Sequence, residues 1–113
     1  MAEGGSAEAQ TGTWVKAFGL YELKPGTLKR ARLDGTDVVI ANVDGELYAL
    51  EDMCSHEEYP LSDGELEGKE VECVLHGARF DLCSGKATRL PAVRPVKTYD
   101  VEVRDGDVYV RAD

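Results

Sequence analysis

Two short segments of the chain each combine one cysteine with one histidine. They are Cys54-x-His56 and Cys73-x2-His76, with sixteen residues between them, and they contain both histidines of the 113-residue sequence. Thiolate and imidazole are soft and borderline ligands for transition metals. Two such pairs close together in one small chain are not expected by chance. The pattern therefore predicts a metal centre held by Cys54, His56, Cys73 and His76.

The mixture of ligands bears on which metal is bound. Zinc modules usually pair a cysteine with a cysteine and a histidine with a histidine, whereas here each segment supplies one of each. A centre of two irons fits this arrangement better, because each loop can place its thiolate on one iron and its imidazole on the other. One iron with two cysteines and one with two histidines is the Rieske ligation of a 2Fe-2S cluster. A zinc-stapled binding module without redox function is the alternative.

The sequence around these ligands carries a family resemblance. From about Trp14 to the C-terminus the chain resembles the small Rieske-type ferredoxins, through the ligand motif and through Asp63-Gly64-Glu65-Leu66, Arg79-Phe80-Asp81 and Ser84-Gly85-Lys86. The resemblance implies one Rieske-type 2Fe-2S cluster, bound by Cys54, His56, Cys73 and His76. It also implies a Rieske-like antiparallel β-sandwich with a small cluster-binding subdomain inserted at about residues 53–85. A proline-containing loop, matched by Leu90-Pro91-Ala92, is implied to shield the cluster.

The chain also departs from the high-potential members of this family. Respiratory and photosynthetic Rieske proteins have an extra cysteine in each loop, joined as a disulfide, where this chain has Tyr59 and Leu75. They also have a serine and a tyrosine that donate hydrogen bonds to sulfur, where this chain has Ala78 and Phe80. Fewer donors leave the more negative reduced state less stabilised. We therefore expect a potential toward the low end of the Rieske range of about −150 to +300 mV.

The resemblance implies a soluble low-potential carrier. It would pass single electrons from a flavin- or iron-sulfur-containing reductase to a terminal oxygenase of the aromatic-ring dioxygenase type. The sequence contains neither G-x-G-x-x-G nor a P-loop, so a reductase must collect the electrons of NADH. We expect an electron-carrier component rather than an enzyme, a monomer that docks transiently on its partners. The alternative is a Rieske-like small subunit of an NADH-dependent nitrite reductase or a similar complex.

The charge of the chain narrows the choice of partners. The net charge is −9 at pH 7, and the segment from Cys54 to Cys83 contributes −6 of it. Nucleic acids and anionic membranes are therefore excluded as expected partners, and a basic protein surface is favoured.

The longest uncharged apolar run, Val38 to Ala41, is too short to span a bilayer, and the first residues lack the basic start of a secretion signal. We expect a cytoplasmic protein.

Short strands must position the two ligand loops. Asp34-Gly35, Asp44-Gly45 and Asp105-Gly106 each separate two β-branched or aromatic runs, and Asp-Gly favours tight hairpins. No segment has a convincing helical period, so the fold is predicted to be all-β. We predict a disordered tail at 1–12 and one domain at 13–113. The strands are predicted at 14–18, 29–33, 37–43, 46–50, 69–74, 78–82, 86–89, 98–104 and 107–111.

Two further predictions concern single side chains. The aromatic residues are expected in the core or on sheet faces: Trp14, Phe18, Tyr21, Tyr48, Tyr99 and Tyr109. Cys83, the one cysteine outside the ligand set, is expected to be a free thiol beside the Ser84-Gly85 turn.

Overall fold

Two antiparallel sheets make up the part of the protein that the structure describes. The computed structural model describes residues 13–54, 59–74, 77–90 and 94–112. The larger sheet has six strands in the order β1-β10-β9-β4-β3-β2, and the smaller sheet has four in the order β5-β6-β7-β8. The strands are β1 Thr13–Gly19, β2 Thr27–Leu33, β3 Thr36–Val43, β4 Glu46–Glu51, β5 Glu65–Glu67, β6 Glu70–Glu72, β7 Arg79–Asp81, β8 Ala87–Arg89, β9 Thr98–Arg104 and β10 Asp107–Ala112. The predicted all-β class is confirmed.

Asp-Gly turns form the three tight hairpins of the larger sheet. They join β2 to β3, β3 to β4 and β9 to β10, and both residues of every turn have a positive φ, from 50° to 96°. A two-residue turn with two positive φ angles matches the right-handed twist of the strands on either side. The pairing register then follows from the turns, so that Val39 lies opposite Arg30 on one side and Leu50 on the other.

The larger sheet is buried on both faces along β3. Val38 and Ile40 belong to the base core, which also contains Phe18, Leu23, Ala31, Leu33, Ala49, Val108 and Val110. Val39 and Ala41 point the other way, into the inter-sheet core, which packs the two sheets together. Successive side chains of a strand point to opposite faces, and for this reason one continuous apolar run supplies both cores.

The smaller sheet has shorter strands than predicted and one strand more. β5 is absent from the predicted strands, because Glu65-Leu66-Glu67 is too short and too acidic to be distinguished from a loop; it exists through its pairing with β6. The predicted strands at 69–74, 78–82 and 86–89 are trimmed to three residues each.

Tyr21 corrects one prediction about the aromatic residues. It lies in the 3-10 turn Leu20–Glu22, and 83% of its surface is exposed, so it is neither in a core nor on a sheet face. A single helical turn bounded by Gly19 cannot bury all its side chains. Phe18 is buried as predicted. The predicted tail at 1–12 lies outside the described residues.

Candidate metal centre

Cys54 lies at the start of the first ligand loop, residues 53–61, which carries the Cys54-x-His56 motif. It follows the end of β4 by three residues, and its backbone N–H donates a hydrogen bond to the Tyr59 carbonyl, 2.8 Å away. The side chain is buried, with 2% exposed. The bond across the loop therefore fixes the thiol toward the protein interior.

Cys73 has the equivalent place in the second ligand loop. It directly follows β6, and its N–H donates to the Ala78 carbonyl at 2.7 Å, which closes the connection from β6 to β7. Its side chain is completely buried. Each cysteine thus stands where a strand gives way to a loop, and a backbone bond holds that junction.

The structure places both cysteines in the inter-sheet core. They share this core with apolar residues of both sheets: Val39, Ala41, Leu50, Leu61, Val71, Ala78, Phe80, Leu82 and Val96. Both carry thiols rather than disulfide sulfurs. Two buried thiols on separate loops in an apolar surround are the donors that an iron-sulfur cluster requires, so these residues fit such a group.

The two histidines of the motif, His56 and His76, lie outside the described residues. Within the described ranges, no three side chains of the metal-binding types form a group that could hold an ion. The role of His56 and His76 as ligands therefore stays a prediction.

Asp52 connects the first ligand loop to the larger sheet. Its side chain is fully buried, and its Oδ2 accepts a hydrogen bond from Arg30 Nε on β2 at 2.8 Å. Ser62, in the 3-10 turn Leu61–Asp63 after the loop, donates to Oδ1 through its backbone N–H at 2.7 Å and to Oδ2 through its hydroxyl at 2.8 Å. The hydrogen bond and the charge of Asp52 raise the pKa of Arg30 above its ordinary value. No local sequence signal indicated this contact.

Gly64 connects the second ligand loop to the 3-10 turn. A Cβ at this position would lie 1.9 Å from the backbone oxygen of Glu72, the residue before Cys73. Its φ is −88°, so the glycine is required for the close approach of two backbones and not for an unusual turn. The Asp63-Gly64 pair resembles a hairpin turn in composition, which conceals this role.

Arg79 forms ion pairs with the acidic side chains beside the second ligand loop. Arg79 Nε donates to Glu72 Oε1 at 2.9 Å, and its other nitrogens lie 3.8 Å from Glu70 and 3.9 Å from Glu67. Glu72 also lies 3.9 Å from Arg89 on β8. Three of the acids that make this segment negative are therefore paired within the smaller sheet.

Ala78, Phe80 and Cys83 differ in their burial. Ala78 and Phe80 are completely buried beside Cys73 in the inter-sheet core. Cys83 is exposed, in the turn after β7. In this turn Ser84 donates two hydrogen bonds to Asp81 Oδ2, which lower the pKa of that carboxyl.

The sequence matches one protein family, described as the Rieske [2Fe-2S] domain, over residues 13–100. The chain belongs to this family. The cofactor of the Rieske domain is a 2Fe-2S cluster, and the buried thiols of Cys54 and Cys73 are donors of the kind that such a cluster binds. The zinc-stapled module is thereby set aside.

Known relatives of this Rieske domain are ferredoxins. The ferredoxin component of the naphthalene 1,2-dioxygenase system of Pseudomonas aeruginosa is 38% identical over 100 residues, which cover 88% of this chain and 96% of that protein. The ferredoxin of carbazole 1,9a-dioxygenase from Nocardioides aromaticivorans IC177 superposes with a TM-score of 0.85 at 37% identity, covering 89% of this chain and 99% of that one.

A third relative is seen together with its partner. In a solved complex of reduced oxygenase and oxidised ferredoxin in carbazole 1,9a-dioxygenase, the matching chain has a TM-score of 0.81 and 35% identity, with 87% of this chain and 92% of that chain covered.

Among the described residues of the present Rieske domain, no helix is long and apolar enough to cross a membrane.

Proposed function

We propose that this Rieske domain carries single electrons from a flavin- or iron-sulfur-containing reductase to a terminal oxygenase of the aromatic-ring dioxygenase type. The observation that carries this proposal is the match, over almost their whole length, to ferredoxin components of such systems. Because these relatives are named as ferredoxin components, the chain serves as an electron carrier rather than as an enzyme. The alternative, a small subunit of a nitrite reductase, would require a permanent partner.

The proposal assigns four ligands to the cluster. Cys54 and Cys73 bind one iron through their thiolates, and His56 and His76 bind the other through their imidazoles. When bound, the cluster takes up and releases one electron. The burial of both thiols in an apolar core supports the assignment, because it keeps bulk water from the sulfur ligands.

The proposal also includes the boundaries and the location of the protein. It places one Rieske domain at 13–113, with its cluster-binding part at about 53–85, and it treats the protein as a monomer that docks transiently. It places the protein in the cytoplasm, where an exposed thiol such as that of Cys83 stays reduced.

The metal and its ligands can be tested on the purified protein. We expect two irons and two acid-labile sulfides per chain, a red-brown colour, and a rhombic EPR signal of low average g after reduction. His56→Ala and His76→Ala should lose or remodel the cluster. Cys83→Ala is the control and should leave the spectrum unchanged, since Cys83 lies outside the buried centre. Stoichiometric zinc without visible absorption would contradict the assignment.

The carrier role can be tested by electron transfer. Reduced protein, mixed with an oxidised oxygenase of the aromatic-ring type in a stopped-flow instrument, should be reoxidised before any substrate turns over. Raising the salt concentration from about 0.05 to 0.5 M should slow this step, because the Debye length falls from about 14 to 4 Å. Glu57→Lys with Glu58→Lys should flatten the salt dependence.

A control separates docking from net charge. Glu102→Lys changes an acid on β9 of the larger sheet, and we expect it to leave most of the salt dependence intact. A rate indifferent to salt would show that the acidic residues only keep the surface hydrated. Copurification with a stable partner of matching stoichiometry would instead favour the nitrite-reductase type of subunit.

A further inference from the structure

A buried carboxylate lies next to the first ligand loop and is not among the proposed ligands. The Asp52 side chain has no exposed surface, and it precedes Cys54 by two residues. Burying an ionised carboxylate is unfavourable unless its oxygens are paired and hydrogen-bonded. Asp52 meets this condition, because both of its carboxylate oxygens accept hydrogen bonds.

The contacts of Asp52 join three parts of the chain that are distant in sequence. Arg30 belongs to β2, Asp52 follows β4, and Ser62 follows the first ligand loop. The side chain accepts hydrogen bonds from Arg30 Nε, from the Ser62 hydroxyl and from the Ser62 N–H, at 2.7 to 2.8 Å. Its own N–H donates to the Asp37 carbonyl at 3.0 Å. We call Asp52, Arg30 and Ser62 the Asp52 clamp.

The Asp52 clamp holds the two ends of the first ligand loop together. Asp52 and Ser62 stand on the two sides of residues 53–61, so their bonds hold the loop ends together while Arg30 holds both to β2. Two residues of chain span at most about 7 Å, so a rotation or shift of Asp52 would be transmitted directly to Cys54. The Cys54–Tyr59 bond lies inside this closed loop.

We propose that Asp52 is the positioning residue of the first ligand loop and that its buried charge also holds the potential of the cluster low. The inference rests on the ligand role of Cys54 proposed above. The reduced cluster carries one more negative charge than the oxidised one, so a nearby carboxylate disfavours reduction. Charges interact more strongly in a protein interior than in water, because the effective dielectric constant there is lower.

The same sheet supplies a matched control. Arg32, two residues further along β2, makes a similar bond to Asp37 at 3.0 Å. This pair is exposed, with 66% and 39% of the two side chains accessible, whereas Asp52 has none. Asp37→Asn removes the same charge as Asp52→Asn, yet it does so at the surface and leaves the backbone carbonyl that binds Asp52 in place.

The experiment compares three variants of the holoprotein with the parent: Asp52→Asn, Ser62→Ala and Asp37→Asn. The readouts are the rate of iron release to a chelator, the EPR g values and the midpoint potential. Asp52→Asn should release iron about tenfold faster, because it weakens bonds to a buried charged group. The equilibrium constant for reduction of its cluster should rise about tenfold, for a carboxylate and a cluster charge on the order of 10 Å apart. A tenfold change corresponds to about 59 mV for one electron.

The other two variants separate position from charge. Ser62→Ala keeps the carboxylate but loosens the loop, so iron release should accelerate severalfold while the potential stays near that of the parent. Asp37→Asn should change none of the three readouts appreciably. If Asp52→Asn does not fold with its cluster, parental iron release from Ser62→Ala would overturn the positioning role.

Two results would overturn the proposal in the folded variants. One is an Asp52→Asn protein with the iron release and potential of the parent. The other is an Asp37→Asn protein that shifts the potential as much as Asp52→Asn, which would make the effect one of net charge. The proposed carrier role is tested separately by iron content and electron transfer of the parent, so the two can fail independently.

Discussion

The two ligand loops are anchored to different sheets by different kinds of contact. The first loop is held by the Asp52 clamp, a fully buried carboxylate bound to the larger sheet through Arg30. The second loop belongs to the smaller sheet, where a backbone bond from Cys73 to Ala78 closes it and the half-exposed pair Glu72–Arg79 flanks it.

This difference assigns a distinct task to each sheet. The larger sheet determines where Cys54 lies and the smaller sheet determines where Cys73 lies, and in the proposed assignment the cluster connects the two. The distance between the ligand loops therefore depends on the inter-sheet core, in which Val39 and Leu50 of one sheet pack with Val71 and Phe80 of the other. Because protein cores are close-packed, we expect the spacing of Cys54 and Cys73 to be set before the metal binds.

The largest effect in the second loop should come from Gly64→Ala. The new Cβ would lie 1.9 Å from the Glu72 oxygen, so the backbone before Cys73 must move. We expect the free energy of unfolding to fall by about 3 kcal/mol or more and the cluster to be lost more readily. Chemical denaturation followed by circular dichroism and visible absorption measures both.

Gly68→Ala is the matched control for this variant. Gly68 has a positive φ of 62°, but a Cβ added there would meet no atom within 4 Å, so only backbone strain of about 1 kcal/mol is expected. Equal losses in the two variants would mean that the close approach at Gly64 has no special part in holding the second loop.

An intermediate effect is expected from restoring hydroxyl donors beside Cys73. Ala78→Ser and Phe80→Tyr should raise the midpoint potential, because a hydrogen bond to cluster sulfur stabilises the reduced state more than the oxidised one. A bond worth about 1 to 2 kcal/mol corresponds to roughly 40 to 90 mV per substitution. Spectroelectrochemical titration of both single variants and the double variant measures the shift.

The tyrosine substitution is the more demanding of the two. Phe80 is completely buried, so a hydroxyl that finds no acceptor would cost stability without changing the potential. A double variant with an intact cluster and an unchanged or lower midpoint potential would show that hydrogen-bond donors at positions 78 and 80 do not set the potential.

The smallest effect should come from Arg79→Gln. Arg79 is 29% exposed, and the loss of its pairs with Glu67, Glu70 and Glu72 should cost about 1 kcal/mol at low salt and less at high salt. Arg32→Gln, which removes a pair with one carboxylate, is the comparison. If Arg79→Gln lost the cluster as readily as Asp52→Asn, the two loops would not differ in their anchoring.

The parts of the fold that depend on local conformation are predictable from the sequence. Asp34-Gly35, Asp44-Gly45 and Asp105-Gly106 adopt positive φ angles with little regard to the rest of the chain, and the strands beside them follow. The spacing of Cys54 and Cys73 likewise indicates the centre of the site, since thiol ligands must lie on loops that can approach each other.

The parts that depend on distant contacts are not predictable in this way. The bond from Arg30 to Asp52 joins residues 22 positions apart, and neither residue type suggests burial by itself. The strand Glu65–Glu67 depends on its partner β6, and Gly64 depends on the proximity of Glu72. Tyr21, by contrast, is predicted to lie in the interior because aromatic residues are often buried, although its helical turn directs it into solvent.

The strand β3 has a consequence for how the protein opens. Its alternate side chains Val38 and Ile40 face one core, and Val39 and Ala41 face the other. Displacing β3 would expose both cores at once, which amounts to global unfolding, so local fluctuations that reach Cys54 or Cys73 must leave this strand in place. We therefore expect the amide protons of β3 to exchange with deuterium only through global unfolding. The electron carrier then unfolds as a single cooperative unit, and its slowest-exchanging strand is β3, which separates the two cores.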